Sequence, residues 1–209
     1  VSRDFQKPMV QPNHAFNWVI GAEDPSIENQ LAHDTSWALL HRVRQTADPV
    51  VIARVLEIAA GDGISDLAEL WSKQSTHTLA GVLWRLFLLR RVVASNAEMT
   101  AELFRRGSAR IGTIDTAVAG AMEPVTPETI TDLCDTILTG AFVGDLGDAL
   151  DRAVAYAKIM SMGSADLADS LDTDHPAEAS KLTARALRYA SIGAELAAGS
   201  ERWRFGELE

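Results

Sequence analysis

His33, Trp37 and His41 recur at i, i+4 and i+8, so a helix running through them carries all three on one stripe. Asp34 stands beside His33 and seven residues before His41. Imidazoles and a carboxylate are ligand types that a divalent transition metal takes. The axial distance argues against a shared ion. Eight residues climb about 12 Å, and ligands roughly 2 Å from one metal cannot span that. The stripe therefore predicts packing and hydrogen-bond contacts, or one wall of a small-molecule pocket. No bound metal, cofactor or catalytic residue is expected of it.

The His33-Asp34 pair also resembles the metal-dependent phosphohydrolases of HD type. That resemblance implies a further histidine and a later aspartate on neighbouring helices. His14 and His77 are the nearby candidates, and the pattern does not place them. A metal-dependent hydrolase is the second alternative.

Arg85 lies inside Leu79 to Val93, a run apolar almost all round, beside Trp84. Such a run predicts the central helix of a bundle. A guanidinium held there needs a carboxylate or a carbonyl. The sharper reading makes it an anion-binding group, with Trp84 and the His33, Trp37 and His41 stripe lining a ligand pocket. Arg90 and Arg91 then fall in the last turn, where cations meet the helix dipole favourably. The single cysteine, Cys134, lies on an apolar face and is expected to be buried and inert.

Charge points to a different chemistry. The chain of 209 residues has a formal net charge of −10. Residues 1–110 hold 12 Lys/Arg and 12 Asp/Glu, whereas residues 123–174 hold 11 acids against 2 bases. An acidic sector of this kind argues against nucleic-acid and polybasic membrane binding, and for a basic protein partner. Glu128, Asp132 and Asp135 fall opposite Ile130 and Leu133, and Asp148 follows at the start of the next helix. These four acids are the expected docking residues. Lys181, Arg185 and Arg188 form a basic stripe on the last helix, able to neutralise part of the acidic face.

The elements that must position these groups are helices. Asp24-Pro25 and Asp48-Pro49 each place an N-cap acid before a proline at the first helical position. Thr126-Pro127 opens a helix whose apolar positions 130, 133, 134, 137, 138 and 141 make one face. Asp145 caps a helix to about Met160, and Pro176 opens a final one to about Ala198. Residues 163–175 read as polar loop, and 107–125, with three glycines and a proline, as the connection between two halves. Residues 1–23 read as an extended arm packing on the body.

Residues 55–72 resemble a helix-turn-helix at Ala59, Gly63 and Ile64, but Asp66 and Glu69 put acids where phosphates would lie. An ordinary helical hairpin, with a short helix from Ile64 to Ser72, is the expectation there. No stretch shows the alternation of a strand. The fold expected is all-α, an irregular bundle of about seven to nine helices. Residues 24–209 form one domain with halves 24–107 and 125–209. One cysteine and no basic-then-apolar leader predict a cytoplasmic protein.

The final helix is rich in small residues, Ala179, Ala186, Ala190, Gly193 and Ala197 among them, which suits core packing or a homodimer seam. The run His33 to Arg42, with Ile64 to Trp71 and Leu83 to Leu86, resembles a conserved-hypothetical family of actinobacteria. That resemblance implies no activity, cofactor or site. The leading functional expectation is a non-catalytic interaction or regulatory protein. A small-molecule- or anion-binding helical domain is the first alternative.

Overall fold

The computed structural model describes residues 25–46, 48–61, 67, 70–111 and 113–209. The expected arm 1–23 and most of the expected helix 64–72 lie outside them, as does the turn of the helix-turn-helix comparison. Eight helices are described: α1 (Pro25–Thr46), α2 (Pro49–Ala60), α3 (Leu79–Ser95), α4 (Ala97–Arg110), α5 (Thr113–Ala119), α6 (Pro127–Val143), α7 (Leu146–Leu171) and α8 (Pro176–Phe205). Among the described residues there is no strand, and the protein is an all-α bundle. No described helix is long and apolar enough to cross a membrane.

Short side chains set most helix starts. Asp48 accepts the Val50 N–H at 2.8 Å, and Pro49 fills the first turn of α2. Thr78 accepts from Gly81 at 3.1 Å, and Asn96 from Met99 at 2.9 Å. Thr126 and Thr129 cap α6 reciprocally, and Asp145 accepts the Asp148 N–H at 3.0 Å to open α7.

Two helices organise the core. α3 packs against α1, α2, α4, α6 and α8, and α7 packs against α4, α5, α6 and α8. Their inward faces bring together Trp71, Phe87 and Phe142, with ring centroids 5.8 and 6.3 Å apart. Phe104 and Tyr156 form a second aromatic pair at 5.7 Å.

Three sequence expectations change. Residues 163–171 are not loop; they are the last turns of α7. Part of their polarity is spent inward: Ser164 is buried and donates to the Met160 carbonyl at 2.7 Å, and Asp166 faces α4, while Asp169 and Ser170 are exposed. The final helix continues past Ala198 to Phe205 and ends at Gly206, which has φ +70. Residues 107–125 hold helix as well, since α4 runs to Arg110 and α5 follows.

Gly107 and Gly163 explain why the local reading failed. A Cβ on Gly163 would lie 1.7 Å from the Leu103 carbonyl oxygen, and one on Gly107 would lie 1.9 Å from that of Ile159. These glycines are not breakers. They let the backbones of α4 and α7 touch.

Beside that crossing, Arg106 and Arg110 reach Asp166 at 3.0 and 2.6 Å, and Glu102 holds Arg106 at 2.7 Å. Hydrogen bonds from Arg110 and then Arg106 hold the Asp166 carboxyl below the usual aspartate range. A depressed folded-state pKa stabilises the fold above the unfolded value, about 4, and that contribution disappears as pH falls through the folded value. Melting curves of wild type and Asp166→Asn should therefore differ by a constant amount near neutrality and converge below about pH 4. A gap unchanged down to pH 2 to 3, or one that widens on acidification, would refute this assignment.

Candidate functional site

α6 and α7 run antiparallel through the two-residue turn Gly144-Asp145. Between them lies a groove of about 680 Å³. Ile137, Gly140 and Ala149 contribute its apolar lining, with the half-exposed Val143 at one end. Asp132, Asp135, Asp145 and Asp148 bring four carboxylates to it, against the single guanidinium of Arg152. Spacing makes this possible: positions 132, 136, 139 and 143 follow one face of α6, and 145, 148 and 152 follow the first turns of α7.

The four carboxylates are not equivalent. Asp135 is half-buried and takes two hydrogen bonds from Arg90, at 2.5 and 3.3 Å. It was expected as an exposed docking residue; the structure makes it an internal ion pair between α3 and α6. Arg90 likewise is not a last-turn cation, because α3 runs on to Ser95. Asp145 spends one oxygen on its helix cap. Asp145, Asp132 and Asp148 are all exposed, Asp148 with 80% of its side chain accessible. Glu128 lies outside the groove lining, at the start of α6. Hydrogen bonds from its own backbone N–H and the Thr126 hydroxyl hold its carboxyl below the usual range.

Arg44, on α1, reaches the turn after α6 and was not singled out from the sequence. Its guanidinium donates to the carbonyls of Phe142 and Gly144, each at 3.3 Å, and sits 5.5 Å from the Trp203 ring centroid. It thereby satisfies carbonyls that the end of α6 leaves without helical partners.

In the rest of the acidic sector two carboxylates, Asp151 and Asp166, are neutralised from within, and so is Asp115 just before it. Asp151 pairs with Arg204, Asp166 with Arg106 and Arg110, and Asp115 meets Lys158 at 2.8 Å. These cations, and not the expected Lys181, Arg185 and Arg188, are the ones paired with it.

The other predicted residues fall elsewhere. Trp37 is half-buried, 6.3 Å from His33 and 5.7 Å from His41, and 6.3 Å from Trp203. Both histidines are exposed, and His33 lies 3.2 Å from Asp34. Arg85 is occupied: it pairs with Glu195 on α8 and donates to the carbonyls of Gly81 and Gln74 at 2.8 and 3.2 Å. Trp84 is half-buried beside it. Neither the acidic groove nor a second cleft of about 640 Å³ beside Ser108 and Pro124 is lined by any of these five residues.

No protein-family model matches the chain, and neither a curated protein nor a solved structure matches it significantly. The chemistry must therefore be read from the side chains. Among the described residues, no three His, Cys, Asp or Glu side chains gather as a metal would need. Cys134 is buried, and burial pushes its thiol up to about 12, so the nucleophilic thiolate is scarce at neutral pH.

Proposed function

We propose that this is a non-catalytic interaction or regulatory protein whose α6–α7 groove receives a basic, partly apolar segment of a partner protein. One observation carries the reading: four carboxylates converge on a groove with an apolar lining, and three of them, Asp132, Asp145 and Asp148, are exposed. Charge complementarity steers such a partner, and apolar burial holds it. The single buried thiol agrees with the cytoplasm as the compartment of this encounter.

The test uses a lysine- and leucine-containing synthetic peptide, labelled for fluorescence anisotropy. Binding to wild type should weaken about tenfold or more between low and physiological salt. Asp132→Asn with Asp148→Asn should weaken it about tenfold, while Glu128→Gln, outside the groove, leaves it within about twofold. Affinity indifferent to both salt and the double substitution would overturn the reading.

A further inference from the structure

The charges of the α6–α7 groove are ordered along it. Gly140 and Ala149 set the register, since a Cβ on Gly140 would lie 3.7 Å from that of Ala149. The two helices are antiparallel, so Asp132, eight residues before Gly140, stands level with Ala157, eight after Ala149. Read along α7, the groove presents Asp148, then Arg152, then Asp132 from the facing helix. At about 1.5 Å per residue, Arg152 stands about 6 Å beyond Asp148, and the level of Asp132 lies about 7.5 Å further on.

These three charges are open. Asp148 and Arg152 have the i, i+4 spacing that ordinarily pairs an acid with a base on a helix. Arg152 is nevertheless exposed and has no hydrogen-bond or ion-pair partner among the described residues, and the same holds for Asp132. Asp148 meets Arg204 only at 3.9 Å, and Arg204 is committed to Asp151. The other two acids of the groove are engaged, Asp135 by Arg90 and Asp145 by the α7 cap. A negative, a positive and a negative charge thus lie in line beside the apolar lining of Ile137, Gly140 and Ala149.

We propose that the occupant of this groove is an amphipathic helix of the partner protein carrying a basic, an acidic and a basic residue at i, i+4 and i+8, and that Arg152 selects it. The inference rests on the groove reading above and adds the order of the charges to it. Spacing suits a helix, because i to i+8 rises about 12 Å, close to the run from Asp148 to the level of Asp132. Backbone chemistry points the same way. The walls of the groove are helices, whose amides and carbonyls are bonded within themselves. An extended segment would bring unpaired backbone groups to those walls, whereas a helix satisfies its own. Leucines at i+3 and i+7 of the partner helix then fall beside the charged stripe and meet the apolar lining. Order excludes as well as selects. A base at the centre would meet Arg152, and an acid at either end would meet Asp148 or Asp132. The required order reads the same from both ends, so it holds for either direction of the helix.

Two labelled alanine- and leucine-based peptides of identical composition and net charge test this by fluorescence anisotropy. One carries Lys, Glu and Lys at i, i+4 and i+8; the other carries Glu, Lys and Lys. Non-specific attraction to an acidic protein is the same for both, so their affinity ratio reads the order alone. Wild type should bind the first about tenfold more tightly. Arg152→Gln removes the two contacts at the centre and keeps those at the ends, so the ratio should fall to about threefold. Arg152→Glu reverses the centre, and the ratio should fall to about one. Arg152 is exposed, and circular dichroism should show the same helix content in all three proteins. Equal binding of the two peptides by wild type, with salt and the Asp132→Asn, Asp148→Asn pair still weakening both, would overturn this inference and leave the groove reading standing. A preference unchanged in Arg152→Glu would overturn it too, and binding of neither peptide would overturn both.

Discussion

Gly163→Ala is expected to cost about 3 kcal/mol of stability, although alanine ordinarily improves a helix interior. At a solvated helical site the same change would stabilise by roughly 0.5–1 kcal/mol, because glycine gives up more backbone freedom on folding. The sign reverses here because the added methyl group would sit 1.7 Å from the Leu103 carbonyl oxygen, 2.7 Å from its carbon and 2.9 Å from the Gly107 nitrogen. All three neighbours are backbone, so no rotamer change relieves the clash. α4 and α7 must move apart, which loosens the packing of Phe104 on Tyr156 and stretches the Arg106–Asp166 and Arg110–Asp166 bridges. Thermal melting should show a drop of about 10 °C for a chain of this length. Gly107→Ala should behave alike, and the double variant should cost less than the sum, since one separation of the helices serves both. A Gly163→Ala protein more stable than wild type would show that α4 and α7 do not touch as described.

Trp71→Ala should be equally severe, at about 4 kcal/mol. Trp71 is wholly buried and packs on Phe87 at 5.8 Å, which in turn meets Phe142. Truncation removes the largest fully buried side chain among the described residues and leaves a cavity beside Thr35 of α1 and Phe87 of α3. Trp71→Phe separates the contributions. It keeps an aromatic ring but loses the indole N–H that donates to the Thr35 hydroxyl at 3.0 Å. That hydroxyl already donates to the Leu31 carbonyl at 2.7 Å, so its proton is committed and its lone pair is what Trp71 uses. The phenylalanine variant should lose about 1 to 2 kcal/mol, much less than the alanine variant. Equal losses in urea unfolding would mean that the hydrogen bond, and not the volume, sustains the site.

Both residues show how far local sequence reaches. Trp71 was legible as part of a short helix and of a run with a family resemblance, and nothing nearby says that its partners are Thr35 and Phe87. Gly107 read as part of a connection, and Gly163 fell at the start of a stretch read as loop, because a glycine's effect on its own helix is local, whereas its use in a close crossing involves a partner 56 positions away. By contrast, Asp48, Thr126 and Asp145 were legible as helix starts, because a cap acts on amides two or three residues on. Asp132 and Asp148 were legible as an acidic surface because each faces outward from an amphipathic helix. Asp135 has the same spacing and was misjudged, since Arg90 lies on another helix. Arg85 was correctly seen to need a carboxylate. That the carboxylate is Glu195, 110 residues later, is a fact of tertiary structure.

The Trp37–Trp203 contact has a use of its own. It joins helices from opposite ends of the described chain, with indole centroids 6.3 Å apart and planes at 30°. Indoles this close share their electronic excitation, so the pair imprints a near-ultraviolet dichroic signal that depends on their mutual orientation. Helix content does not produce that signal. The molecule thus carries an intrinsic optical gauge of whether its first and last helices are seated together, readable without attaching a dye.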